Sequence, residues 1–273
     1  MAVRKERDLF WALAAMGVTA IAALTMGLFN FAANSDDAAR QREEAVIANG
    51  ISARIREIQH QVTPNAVWDE AVRNLDNRFD ADWAHDNVGQ FYRSTGDFAF
   101  TMVLDADDHL LYAMRDGSDV APDVSWAERD VAAPLIRDVR EHEAENEMHS
   151  DALANAVQSS AIEWVDDRLF IITATLVQPD FGHAQLVHDR APIILTGREL
   201  DLPFMAMFEE RYLLSNLHVH DGDSSFEPSE AHTVLRNRAG AAIATLDWTP
   251  QQPGLRLLSS ALPALLALLG AMM

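Results

Sequence analysis

The chain has no cysteine and a single lysine, Lys5, among its 273 residues. Without thiols there can be no disulfide framework, no thiolate nucleophile and no thiolate metal site. An apolar core must therefore hold the fold, and about 220 residues outside the apolar ends are enough to build one. Positive charge is scarce throughout: 21 basic residues face 42 acidic ones, for a net charge of −21. Residues 34–254 alone carry 17 basic and 40 acidic side chains, a net of −23. Such a body lacks the basic face that displaces counterions from a nucleic-acid backbone, and it is poorly suited to an anionic bilayer surface. Nucleic acid is not an expected partner. The chain also lacks a Gly-rich phosphate cradle, a His-Glu-x-x-His pair and a Gly-x-Ser-x-Gly elbow. No catalytic residue, no cofactor and no metal site is expected.

What is present begins with two apolar ends. Leu9 to Phe31 contains no charged residue and is long enough to cross a bilayer at ~20 residues per span. Arg4, Lys5 and Arg7 precede it and Asp36 and Asp37 follow, so the positive-inside rule places the N-terminus in the cytoplasm. A cleaved signal peptide is the competing reading, but its apolar region is usually only ~7–15 residues. The second run, Leu255 to Met273, follows Pro250 and Pro253-Gly254 and is long enough for one hydrocarbon core at about 1.5 Å per residue. The sequence ends there, so a cytoplasmic effector is expected beyond it.

Between these ends the chain alternates helix and strand signals. From Asn34 to Val62 only Gly50 interrupts a helix, and Ala48, Ile51, Ile55, Ile58 and Val62 form a narrow apolar seam. That seam fits either a stalk pairing with a second copy or a helix packed on its own domain. Thr63-Pro64 reads as a helix restart with Thr63 as N-cap. Trp68, Val72, Leu75 and Phe79 then make one stripe, with Asp69, Arg73 and Asp76 on its flank and Asp69 placed to pair with Arg73. Asn87-Val88-Gly89 suits a helix C-cap. Phe98 to Leu104 and Leu110 to Met114 form a hairpin around Asp105–Asp108. Ser125 and Glu128 make a capping box for a helix to about Glu145. A second hairpin spans Ala161–Val165 and Leu169–Val177, and Gln185–Leu195 is a further strand interrupted near Pro192. A helix from Leu202 to Leu213 with Asp201 as N-cap follows, and then strands at Leu217–His220, Thr233–Arg238 and Ala241–Trp248.

Three constellations invite a chemical reading. His218 and His220 share a strand face beside Asp221 and Asp223, as zinc ligands could, but no third histidine is placed by spacing, and a solvated turn accounts for them. Asp105-Ala106-Asp107-Asp108 lacks the sixth-position Gly and distal Glu of a calcium loop, and a polar hairpin turn accounts for it. Trp68-Asp69-Glu70, with Trp83, Asn87 and the strand leading to Tyr112, is the most distinctive stretch.

Those last residues resemble the CHASE domain of the fourth type, over roughly residues 60–200. Such domains are extracytoplasmic sensors, related to Cache and PAS-like folds, held between two transmembrane helices of bacterial receptors. The ending Leu246-Asp247-Trp248 through Pro253-Gly254 is similar to members joined to cyclic-di-GMP enzymes. The resemblance implies an α+β fold: a long N-terminal helix and a PAS/Cache-like antiparallel sheet flanked by helices, between two transmembrane helices. The divisions are then a cytoplasmic N-terminus (1–8), a first span (9–33), a stalk (34–62), a sensor domain (63–254) and a second span (255–273). The implied ligand-binding residues are Trp68, Asp69, Glu70, Asn87, Tyr92 and Tyr112. Glu70 stands where the family usually has Asp, and Ala71-Val72 where an aromatic is usual. The implied partners are an unidentified small-molecule ligand, the inner membrane and a second copy of the chain. The acidic composition favours a cation or amine as ligand. The effector is expected to be a diguanylate cyclase or phosphodiesterase, with a histidine kinase as alternative. A membrane-anchored extracytoplasmic enzyme or an adaptor remains a different reading.

Overall fold

One uninterrupted helix, α1 (Ala2–Ala66, 65 residues), forms the spine of the molecule in a computed structural model describing residues 2–121, 126–145, 153, 155–181, 183–222 and 230–272. Among the described residues, α1 is the one helix long and apolar enough to cross a membrane. Gly50 does not break it. Gly50 is buried, and a Cβ there would meet the Tyr212 ring and hydroxyl at 2.6 Å, so it admits a tightly packed neighbour. The restart expected at Thr63-Pro64 does not occur either. Pro64 lies in the last turn, where the helix forgoes one bond, that of the missing N–H to the His60 carbonyl, and the Thr63 hydroxyl donates back to the Gln59 carbonyl at 2.9 Å.

The apolar seam of α1 packs on the chain's own domain, which decides between the two readings of it. Ile47, Ile51, Ile58, Val62 and Ala66 are buried in one cluster with Phe204, Phe208, Leu246 and Trp248. Ala48 is exposed and Ile47 takes its place.

Six strands form an antiparallel sheet in the order β3-β2-β1-β6-β5-β4: β1 (Phe100–Leu104), β2 (Leu110–Arg115), β3 (Ser118–Asp119), β4 (Gln158–Val165), β5 (Arg168–Leu176) and β6 (Ile193–Glu199). Both faces are covered, so the central strands are apolar nearly throughout rather than alternating. Phe100, Met102, Leu104, Phe170, Ile172 and Leu195 meet α5 (Ala127–Glu145) and its Leu135 and Val139. Val103, Ile171 and Ile194 face α1 on the other side. Gly197, in β6 opposite Phe100, sits where a Cβ would lie 2.0 Å from the Phe100 ring. Ser125 of the expected capping box lies outside the described residues. Glu128 instead binds Arg115 at 2.7 Å, and Arg115 lies over the Trp126 ring.

A second antiparallel sheet, β7-β9-β8, is formed by β7 (His218–Asp221), β8 (Ala231–Arg236) and β9 (Ala242–Trp248). It lies against α1 and is tied to the larger sheet by the Trp164 indole, which donates to the Ile243 carbonyl at 2.8 Å. The helix α6 (Leu202–Tyr212) starts where expected, with Asp201 accepting from the Phe204 amide at 2.9 Å. The chain ends in α7 (Pro253–Met272), which runs beside α1.

Candidate ligand-binding site

The distinctive stretch folds into helices with two π-helical segments. The turn α2 (Asp69–Ala71) continues into a π-helix over Val72–Asn77. A second run comprises α3 (Ala81–Ala84), a π-helix over His85–Gln90, and α4 (Phe91–Gly96). Each π turn takes in one more residue than an α turn and so rotates the side chains beyond it. The stripe read from α-helical spacing is accordingly broken. Val72 and Leu75 are buried, but Phe79 lies beyond the helix at 36% exposure, and Asp76 turns inward. Asn87 is inside the second π segment rather than at a C-cap, and the left-handed residue that ends this run is Asp97 (φ 50°).

Two buried carboxylates on the first π-helical run hold the segment between β5 and β6. Asp69 does not pair with Arg73; its side chain accepts from the backbone amides of His183 (3.3 Å) and Ala184 (3.2 Å). Its own amide donates to Asp180 at 3.0 Å. Asp76 accepts from the Val187 amide at 2.6 Å and lies 2.8 Å from His188 Nδ1. Of the strand expected over Gln185–Leu195, only Ile193–Leu195 is strand, as the start of β6, and residues 185–192 are not. Over its described residues the segment from Gln178 to Pro192 is a loop in which the amides of Phe181, His183, Ala184, Val187 and Ala191 are taken by side chains, and regular pairing begins only at Ile193. A parallel bridge between Val67 and Gln178 anchors its start, with the Trp68 amide donating to Gln178 at 2.8 Å.

His188 adds a pH dependence to this loop. The hydrogen bond to Asp76 and that carboxylate's charge, with smaller help from Asp105 and Asp107, raise its pKa above the ordinary 6.5. A histidine whose folded pKa is raised contributes its full stabilisation below its unfolded pKa and loses it as pH rises through the folded value. Proteolytic cleavage within residues 179–190 is thus expected to accelerate as pH climbs above 6.5, and His188→Gln should flatten that profile. An unchanged profile in the variant would count against the tether.

The six residues implied by resemblance do not share one cavity. Trp68 packs on Trp83 with ring centroids 5.6 Å apart, a structural pairing. Glu70 is exposed. The Asn87 side chain donates to the Trp83 carbonyl, and its own carbonyl accepts from Asn65 at 2.6 Å. Tyr92 is a core residue: it is fully buried, its hydroxyl donates to the Val62 carbonyl at 2.7 Å, and burial pushes its phenol pKa up. Of these five, Asp69 has the clearest structural role, which is to clamp the loop.

Tyr112 is different. It lines a concavity of about 450 Å³ together with Asp82, His85, Leu111, Asp119 and Val120. Its hydroxyl donates to Asp119 at 2.7 Å, and His85 Nδ1 approaches the other Asp119 oxygen at 2.8 Å. Burial, then the bond to Asp119 and the charges of Asp119 and Asp86, raise the Tyr112 pKa and keep the phenol protonated. Gly89 makes this possible, because a Cβ there would stand 2.1 Å from the Tyr112 hydroxyl. The second π segment thus delivers His85 and a side-chain-free Gly89 to one edge of the sheet. His85, Asp82 and Asp119 could not be found from sequence, since nothing local links positions 34 residues apart. Among the described residues, no group of three or more His, Asp or Glu side chains is placed to hold a metal ion. His218 and His220 flank Asp247 on β9, with His220 Nε2 at 2.7 Å from it.

A third set of contacts joins the two ends of the chain. Asp36 of α1 accepts from the amides of Gly254 (2.6 Å) and Leu255 (3.1 Å), capping the first turn of α7. Two helical turns further on, Glu43 accepts from the Trp248 indole (3.1 Å) and the Gln251 amide (3.2 Å).

Residues 50–220, more than half of the chain, match the CHASE4 domain family. No curated protein matches the chain. The matched region stops within β7, so β8, β9 and the Asp36 and Glu43 contacts lie outside it.

Proposed function

The chain belongs to the CHASE4 domain family, an extracellular sensor domain of signalling receptors, and from that premise we propose that it is the ligand-sensing input part of a bacterial membrane receptor. In this reading α1 and α7 both cross the inner membrane and residues of about 34–254 lie outside it. The observation that carries the proposal is the clasp at Asp36 and Glu43. The outgoing and returning helices are fastened to each other and to the end of β9 where the domain meets them, so a tilt of the domain reaches both helices as a pair. The sheet flanked by helices supports the Cache/PAS-like reading. The effector is a cyclic-di-GMP cyclase or phosphodiesterase, on the resemblance of residues 246–254. A homodimer is part of the proposal and uses surfaces other than the seam of α1.

Topology is the first test. The absence of cysteine permits single-cysteine labelling without background. Glu70→Cys should react with a membrane-impermeant maleimide in intact cells, and Ala2→Cys only after permeabilisation. The reverse pattern would sink the proposal.

The Tyr112 concavity is the proposed ligand site. Its wall of Asp82 and Asp119 suits a small amine or cation, which a carboxylate attracts more strongly where water is partly excluded. Tyr112→Phe is expected to cost about 1 kcal/mol of stability, the net worth of one hydrogen bond. It should also reduce the thermal shift given by a panel of primary amines. Shifts that survive intact in both Tyr112→Phe and Asp119→Asn would move the ligand elsewhere.

A further inference from the structure

On the opposite face of the sheet from α1, the outer side of α5 and the β1–β2 turn enclose a groove of about 540 Å³. Its walls hold Arg129, Arg137, Arg140 and Arg190, four of the twenty arginines in a chain of net charge −21. This is a local inversion of the molecule's charge.

The partners of these arginines divide them into two pairs. Arg140, with its side chain 10% exposed, is fully engaged. It binds Asp108 at 2.7 Å, Glu143 at 2.8 Å, and the carbonyls of Asp105 and Ala191. Arg190 takes the other Asp108 oxygen at 2.9 Å. Burial acts to raise the Asp108 pKa, but Arg140 and Arg190 outweigh it and hold the carboxyl below its usual range. That triad is a fixed ionic frame, which positions the turn at Asp108 (φ 63°). The other two are not neutralised. Arg129 donates to the Asp108 carbonyl at 2.6 Å, and neither it nor Arg137 has a carboxylate partner among the described residues. The one further carboxylate on the lining is exposed Asp130.

Spacing makes a site of this. Arg129 and Arg137 stand one helical turn before and one after Ala133, on the same face of α5. Ala133 is exposed and small, so it leaves a gap between the two guanidinium groups, above the buried Ile136. Guanidinium forks match the planar geometry of oxyanions and hold them by paired hydrogen bonds. We propose that this groove binds a small organic anion carrying two oxyanion groups, carboxylate or phosphate, one for each uncompensated arginine. The site is separate from the Tyr112 concavity and has the opposite charge preference. It does not depend on the chain's being a receptor.

Calorimetric titration of the purified full chain in detergent, at low salt, tests this with succinate, glycerol 2,3-bisphosphate and acetate as probes. Succinate or the bisphosphate is expected to bind, and whichever binds more tightly identifies the oxyanion chemistry. Acetate, with one group, should bind at least about tenfold more weakly, since each lost charge-assisted pair is worth a factor of that order. Two variants on exposed positions leave the core and the Asp108 frame alone. Arg137→Ala removes one fork, and Ala133→Glu places a tethered carboxylate between both. Each should weaken binding of the better probe by about tenfold or more with little change in melting temperature. The proposal is overturned if neither succinate nor the bisphosphate binds, if acetate binds as well as they do, or if both variants bind as the parent does.

Discussion

Replacing Asp69 with alanine is expected to lower the stability of the domain by about 2–4 kcal/mol, because two amides lose a charged acceptor and one of them, that of Ala184, is buried. The carboxylate is buried at 6% exposure, and the Ala184 amide that it satisfies belongs to a residue equally buried. Hydrogen bonds to charged groups are worth more than neutral ones, and leaving the donor orphaned adds its desolvation cost. For a domain of this size the loss corresponds to a fall in melting temperature of about 4–16 °C. Asp69→Asn retains one acceptor oxygen and should recover part of it. The effect should be concentrated in the segment from Gln178 to Pro192, which Asp69 and Asp76 hold jointly. The double variant is therefore expected to be non-additive, since once one carboxylate has released the loop the other has less left to lose. Thermal melts with proteolysis of residues 179–190 check both statements. A change within about 0.5 kcal/mol for Asp69→Ala, the ordinary range of a surface substitution, would contradict its role as the clamp of that loop.

Gly254→Val should have the second large effect, and at a different place. A Cβ at position 254 would stand 2.1 Å from the Ala32 carbonyl oxygen and 2.7 Å from its carbon and Cα. These are backbone atoms and cannot rotate away, so α1 and α7 must part. As they part, the Asp36 bonds to Gly254 and Leu255 lengthen or break, and α7 loses the cap on its first turn. Spin labels on Phe29→Cys and Leu257→Cys, both at exposed positions, should report a longer and broader distance in the Gly254→Val background. Trp248, whose indole binds Glu43, should change its fluorescence. An unaltered distance distribution would show that the helices are not in contact there. In a receptor, the same substitution is predicted to uncouple the domain from its effector while leaving binding at the proposed Tyr112 site intact.

Much of the architecture was legible because its signals are local. The hairpins turning at Asp105–Asp108 and at Asp166-Asp167, the Asp201 cap of α6 and the strands expected at 217–220, 233–238 and 241–248, which lie at 218–221, 231–236 and 242–248, all arise from adjacent residues. The helix over Asn34–Val62 comes from the same kind of pattern, as part of the longer α1, whereas the α+β class came from the family resemblance. What escaped the sequence depends on distance. Asp69 and Asp76 look like a solvated flank, because their partners lie more than a hundred residues away on a loop with no pattern of its own. The π turns escape for another reason. A hydrophobic stripe is read with an assumed period, and one inserted residue per turn sends Phe79 outward and Asp76 inward without altering composition. At the site, Tyr112 came from resemblance, whereas His85, Asp82 and Asp119 came only from the fold. The loop expected as a strand at Gln185–Leu195 failed at Asp189-Arg190-Ala191-Pro192, whose groups are taken by Glu143 and Asp108 before a ladder can form.

The continuity of α1 has a mechanical consequence. From Asp36, where the returning helix is fastened, to Val62, where Tyr92 hangs from its carbonyl, the axis runs about 39 Å at 1.5 Å per residue. No glycine kink or proline interrupts that interval, so the helix acts as a beam clamped at one end and loaded at the other. A tilt of about 5° about the clamp displaces the far end by about 3 Å over that length. In reverse, a closure of about 3 Å at the upper end of the domain demands only a few degrees at the fastening. The beam therefore trades displacement for torque. What reaches the paired helices is a small rotation delivered with leverage, and the carboxylates of Asp36 and Glu43 are the bearings that must withstand it.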